Sequence, residues 1–196
     1  MKGDDFGDRM KEYEMAEAGR RLMPLLPIVA RLDGKGFSNS TRGLARPFDK
    51  RLSDLMVETT AYLVKETNAV CGYTQSDEIT LAWYSDDYES QVWFDGRIQK
   101  MCSVLGGKCS VFFNRKLGSF IPEKEEAIKN GEGPVFDCRV WNVPNLAEGS
   151  NAFLWREQDA TKNSISMAAR HYYSHKDLHE KSGSEMQEML FQKGIN

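Results

Sequence analysis

The sequence has only three histidines and four cysteines, and no two cysteines stand at Cys-x-x-Cys spacing. Cys71, Cys102, Cys109 and Cys138 therefore carry no zinc-ribbon or dithiol-redox signature, and the reading is buried, reduced thiols. No apolar run approaches the length needed to cross a bilayer, so a membrane anchor is not expected. The first thirty residues hold no basic segment feeding an apolar one, so no secretory leader is expected and the expected location is cytoplasmic. Internal repeats and low-complexity tracts are absent. So is the Gly-x-x-x-x-Gly-Lys-Ser/Thr loop of P-loop enzymes, a pattern that "GGKCS" at Gly106 fails. A net charge of −3 and a pI near 5.7 exclude a protein dominated by nonspecific nucleic-acid binding. A local basic groove stays possible, because net charge does not locate charges.

What is present fits a globular chain, with 40% hydrophobic and 28% charged residues over a length that suits one domain, 1–196. "PIVARL", 27–32, reads as a strand. "PFDKRLSDLMVETTAYLVKE" reads as a helix with Pro47 near its start and Leu52, Leu55, Met56 and Leu63 on one face. Residues 71–74 and 78–84 read as a hairpin, with Ile79, Leu81 and Trp83 alternating. Phe94, Ile98, Met101, Cys102 and Leu105 mark a second helix, and "PVFDCRVWNVP" a fourth strand. The order is β-α-β-β-α-β, the ferredoxin-like pattern of an α+β domain: an antiparallel sheet with two helices on one face. Its first and third strands are central neighbours.

Beyond the sheet, about 150–196 read as a helical extension. One helix spans "SNAFLWREQDATKNSISMAARHYYS", with Ser150 or Asn151 as cap. The last spans "SGSEMQEMLFQKG", with a Ser184/Gln187 capping box and a Gly194 stop. Pro122 to Gly133 reads as a charged, solvated, flexible excursion.

Two acidic turns stand out. Asp33 ends the first strand within "RLDGKGF", and Asp77 and Glu78 lie in the hairpin turn "GYTQSDE". Each alone is most often only a turn. At the ends of neighbouring strands they form a candidate two-carboxylate magnesium site, because magnesium takes one or two carboxylates and completes its shell with water and phosphate oxygens. The adjoining loop suits a triphosphate. Gly34 and Gly36 permit close backbone approach, and Lys35, Arg42 and Arg46 supply positive charge. The commoner reading of such a loop is a basic surface. His171, His175 and His179 recur every fourth residue and share one face only if that helix is continuous. Plain surface histidines are the commonest reading, a cationic face for phosphate or RNA the next, and a metal site the last. Arg156, Asp159 and Asn163 have near-helical spacing and read as a salt-bridged helix face.

Four ordered motifs, "RLDGKGF", "GYTQSDE", "FDCRVW" and "WREQDATKNS", resemble the tRNA-histidine guanylyltransferase superfamily over roughly residues 10–195. The resemblance implies a polymerase-palm-like domain that adds nucleotides in the 3′-to-5′ direction. It implies Asp33, Asp77 and the Gly34 carbonyl as ligands of two Mg²⁺ ions, with Ser76 and Glu78 as catalytic support. It assigns Arg31, Gly34, Lys35, Gly36, Phe37, Ser38, Arg46 and Asp49 to the nucleotide, ATP or GTP. Arg97 and Lys100 would hold the activating nucleotide or the RNA 5′ end, and Lys162, Asn163 and His171 would meet RNA.

Enzymes that add the extra guanosine to histidine tRNA carry a "HINNLY"-type motif. Here "TKNSIS" stands in its place, with Asn163 kept, so the chain resembles the guanylyltransferase-like branch that repairs tRNA 5′ ends on a template. Family members usually run on through a further basic segment and form homotetramers. The implied partners are the tRNA acceptor stem and nucleoside triphosphates. Addition of a guanosine to histidine tRNA, a nucleotide cyclase, and a noncatalytic nucleotide- or RNA-binding protein are the alternatives.

Overall fold

The structure is a computed structural model and describes residues 5–90 and 92–195. The elements are α1 (Asp5–Ala18), β1 (Ile28–Lys35), α2 (Phe37–Ser40), α3 (Lys50–Thr67), β2 (Cys71–Gln75), β3 (Glu78–Trp83), α4 (Ile98–Phe120), α5 (Glu125–Lys129), β4 (Val135–Asn142), α6 (Leu146–Tyr172) and α7 (Gly183–Gln192). The sheet is antiparallel in the order β2-β3-β1-β4. β1 and β3 are the central neighbours, as the element order requires.

Alternation divides the sheet into two faces. Ala30, Leu32, Ile79 and Leu81 are fully buried and join the core with Leu55, Met56 and Leu63 of α3 and Met101, Leu105 and Phe113 of α4. Phe37, Phe113 and Phe136 make a three-ring edge-to-face cluster with centroids 5.3–5.8 Å apart, which closes the core beneath the β1–α2 turn. The other residues of β1, Arg31 and Asp33, point to the opposite face, which α6 partly covers.

Several boundaries differ from the sequence reading. β1 runs three residues past Leu32, so Asp33 sits inside its paired end. α3 begins at Lys50 with Asp49 as its cap, and Pro47 follows a cis peptide in the preceding loop. α4 begins at Ile98. Phe94 lies before it in a 3₁₀ turn (Trp93–Gly96) with a left-handed φ of 52°. α6 begins five to six residues earlier than read, because Asn145 accepts the Glu148 N–H and caps it. The last capping box is Ser182 with Glu185, rather than Ser184 with Gln187, and Gly194 does follow the helix end at φ 77°. Residues 122–133 are not a loose excursion: a 3₁₀ turn and α5 fold there, Glu123 pairs with Arg51 at 2.7 Å, and Lys124 Nζ donates to the Arg42 carbonyl at 2.7 Å.

The four cysteines form no disulfide. Cys109 is buried as expected, whereas Cys71 is exposed. No described helix is long and apolar enough to cross a membrane. A second, small core of Ala168, Ala169, Leu178 and Leu190 joins the end of α6 to α7.

Candidate active site at the paired ends of β1 and β3

The antiparallel register fixes this site. Asp33 of β1 lies opposite Glu78 of β3 on one side and opposite Asp137 of β4 on the other. Directly opposed side chains share a face, so three carboxylates form one row across the sheet. The β2–β3 turn completes the group. Ser76 takes a left-handed φ of 49°, and the Gly34 N–H donates to the Asp77 carbonyl at 3.1 Å, which closes the turn onto the end of β1.

Burial raises the Asp77 carboxyl above the ordinary carboxylate range, and the negative charge of Asp33 pushes the same way. Hydrogen bonds from its own backbone and from Ser76 partly offset both. Asp33 and Asp77 are thus close enough to repel, an arrangement that a divalent cation relieves. Carboxylate and carbonyl oxygens are hard donors that suit Mg²⁺, so the residues present fit that ion. Among the described residues no group of three or more His, Cys, Asp or Glu side chains has metal-holding geometry. Two carboxylates with water and phosphate oxygens are what magnesium asks of a protein.

Glu78 has a different occupation. Arg156 Nε of α6 donates to Glu78 Oε1 at 2.6 Å, and Arg156 Nη2 donates to Asp159 Oδ2 at 2.9 Å. Arg31 Nε lies 3.8 Å from Glu78 Oε2, and the guanidinium carbons of Arg31 and Arg156 lie 5.5 and 4.4 Å from the Trp155 ring centroid. The reading of Arg156, Asp159 and Asn163 as a self-contained helix face holds for Arg156–Asp159 and Asn163–Asp159. It misses the bond from Arg156 into the sheet. A buried arginine demands a carboxylate, but sequence cannot say that the partner lies 78 residues away.

The other expected residues divide into groups. Lys35, Gly36 and Ser38 are exposed on or just after the β1 end, with Gly36 at a left-handed φ of 63°, and Arg46 is exposed in the loop before α3. The Phe37 ring is core, so only its backbone remains for a ligand. Asp49 is buried and fully engaged: it accepts from the Ala45 and Arg51 backbone N–H groups, and from Arg51 Nε at 3.0 Å and Nη2 at 2.8 Å. The Arg51 side chain, foremost among these donors, holds the Asp49 carboxyl well below the usual range. Asp49 fastens the 45–51 loop. Arg31 lies near Glu78 and Trp155, but its buried Nε has no hydrogen-bond partner among the described residues.

Arg97 and Lys100 stand at the start of α4. Arg97 precedes α4 and bridges to Arg21, and Lys100 lies in the first turn of α4, with its ammonium 5.0 Å from the Phe94 ring centroid. Lys162, Asn163 and His171 are exposed on α6. That helix ends at Tyr172, so His175 and His179 fall outside it and the three histidines share no face.

A ferredoxin-like antiparallel sheet with helices on one face has the palm-like fold. The tRNAHis guanylyltransferase family model matches residues 7–144, and the chain belongs to this family. An uncharacterized protein of Acanthamoeba polyphaga mimivirus is 33% identical over 87% of this chain and 64% of its own length. The tRNA(His) guanylyltransferase of Schizosaccharomyces pombe is 30% identical over 80% of this chain and 56% of its own length. The chain thus spans somewhat over half the length of these curated relatives. Among solved structures, a bacterial tRNA(His) guanylyltransferase-like protein in complex with ATP superposes with a TM-score of 0.88 at 37% identity, covering 98% of this chain and 82% of that one. The Saccharomyces cerevisiae tRNA(His) guanylyltransferase gives 0.78 at 26%, covering 90% and 81%.

Proposed function

We propose that this chain is a nucleotidyltransferase that rebuilds tRNA 5′ ends by template-directed 3′-to-5′ addition. The convergence of Asp33 and Asp77, closed by the Gly34 N–H on the Asp77 carbonyl, carries the reading. Its likeness to bacterial guanylyltransferase-like proteins solved with ATP and with GTP supports nucleotides as substrates. "TKNSIS" in place of the histidine-tRNA motif supports repair over guanosine addition to histidine tRNA.

In this reading an oxygen of the RNA 5′-monophosphate attacks the α-phosphorus of ATP, and pyrophosphate leaves. The 3′-OH of the incoming nucleotide then attacks the activated 5′-phosphorus, and AMP leaves. Two Mg²⁺ ions, held by Asp33, Asp77 and the Gly34 carbonyl, would activate the hydroxyl and offset the charge of the leaving phosphate. Ser76 holds the Asp77 carboxyl through its hydroxyl. Lys35 and Arg46, both exposed, would give the triphosphate its countercharge, and Gly36 and Ser38 would offer backbone and hydroxyl donors. No covalent nucleophile is required, since positioning and charge compensation supply most of the rate. Lys162, Asn163 and His171 line an exposed stretch of α6 that would follow the acceptor stem. Arg97 and Lys100 would hold the activating nucleotide or the RNA 5′ end.

The palm and the helical extension are read as one catalytic unit, acting in the cytoplasm as a homotetramer whose basic patches meet along the RNA. Transfer of α-labelled ATP onto a 5′-monophosphate RNA, with loss in Asp33→Ala, tests the first step. Turnover of free nucleotides without RNA would instead indicate a cyclase-like enzyme. RNA binding with no turnover would indicate a noncatalytic protein.

A further inference from the structure

Glu78 follows Asp77 in sequence and faces Asp33 across the sheet, yet its carboxylate is already taken. Glu78 and Arg156 are each only 8% exposed, and their 2.6 Å bond is the shortest link between α6 and the sheet. The planar guanidinium grips two carboxylates at once, Glu78 on β3 and Asp159 on α6, a geometry that an ammonium group cannot copy. Arg31 stands on the far side of Glu78 at 3.8 Å, so two cations bracket one anion. Without Arg156, the buried Glu78 carboxylate would keep only the 3.8 Å approach of Arg31, beside Asp33 and Asp77. It would gain most by swinging toward any cation held there.

We propose that Arg156 is a positioning residue for the Asp33–Asp77 site: it withholds Glu78 from the cation and seats α6 against the turn that presents Asp77. The inference rests on the cation reading of that site. In this arrangement two carboxylates reach the cation and a third does not, which leaves coordination positions for phosphate oxygens and water. The same bond joins the helix that bears Lys162 and Asn163 to the catalytic turn.

The test uses the whole chain and Mn²⁺ as the probe, with bound ion read from the loss of the free Mn²⁺ spin-resonance signal. Thermal unfolding is followed in parallel. Wild type, Asp77→Asn, Glu78→Gln, Arg156→Gln and the Arg156→Gln/Glu78→Gln pair are compared. Glu78→Gln is expected to bind Mn²⁺ as wild type does, because its amide oxygen still accepts from Arg156 and the wild-type carboxylate is not a ligand. Arg156→Gln is expected to bind about tenfold more tightly, as the released carboxylate joins the ion. The double variant is expected to return to the wild-type affinity, a reversal that a merely structural ion pair would not produce.

Weakening of about tenfold in Glu78→Gln would make Glu78 a ligand and overturn the proposal. Wild-type affinity in Arg156→Gln would overturn it equally, leaving the pair a structural contact. If Arg156→Gln fails to fold, Glu78→Gln decides alone. Loss of Mn²⁺ in Asp77→Asn upholds the underlying site. Retention of Mn²⁺ there would defeat the cation reading itself, an outcome distinct from failure of the Arg156 role.

Discussion

The Gly34 N–H donates to the Asp77 carbonyl at 3.1 Å, and this one bond brings two distant acidic turns to a single place. The approach needs glycine. A Cβ at Gly34 would lie 2.5 Å from Phe37 Cδ2 and 3.0 Å from Asp77 Cβ. Gly34→Ala must therefore push the catalytic turn or the Phe37 ring aside. We expect a loss of about 1–3 kcal/mol of stability, by denaturant unfolding, together with a large loss of nucleotidyl transfer. Unchanged stability and activity would show that the turn is not clamped.

Asp33→Ala and Asp77→Ala are expected to abolish transfer while leaving the circular dichroism spectrum unchanged. Because burial and the neighbouring Asp33 charge both disfavour ionised Asp77, Asp77→Asn should be at least as stable as wild type in the absence of metal. A clear drop in its unfolding temperature would contradict that electrostatic picture.

Asp49 separates a structural role from a ligand role. It caps α3 and gathers the 45–51 loop through Arg51. Asp49→Ala is expected to cost about 1–2 kcal/mol of stability through loss of the cap. The diagnostic result is a lowered unfolding midpoint. An unchanged midpoint with a raised KM for the nucleotide would return Asp49 to the binding site.

A pH-dependent element lies in the C-terminal helices. The Glu185 carboxylate accepts from the Ser182 backbone N–H at 2.8 Å and from its hydroxyl, and its pKa is lowered to about 2 by these bonds and by Lys181. A depressed carboxylate stabilises the fold above its ordinary pKa of 4.5, and that contribution disappears as pH falls toward 2. The protection factors of amides in the first turn of α7 should therefore fall across that window, and Glu185→Gln should abolish the fall.

The palm was legible because its signals are periodic. Leu52, Leu55, Met56 and Leu63 mark α3, Ile79, Leu81 and Trp83 mark β3, and the element order then fixes which strands are neighbours. Asp33 and Asp77 follow from that topology. What stayed hidden depends on contacts between distant residues. Arg156 reads as a partner of Asp159 because i, i+3 pairing is visible in sequence, whereas its bond to Glu78 exists only once α6 crosses the sheet. Asp49 carries the same ambiguity, since a cap and a ligand are both exposed-looking aspartates until burial is known. The helix α1 buries no residue, so it leaves no apolar stripe to find.

The most direct test of this account uses a 5′-monophosphorylated tRNA lacking its first nucleotide, with Mg²⁺, ATP and all four nucleoside triphosphates. The 5′ end is resolved at single-nucleotide resolution, beside an Asp77→Ala control. The account predicts extension by the nucleotide complementary to the acceptor strand, absent in the control. No extension by wild type, or equal extension by Asp77→Ala, would contradict it.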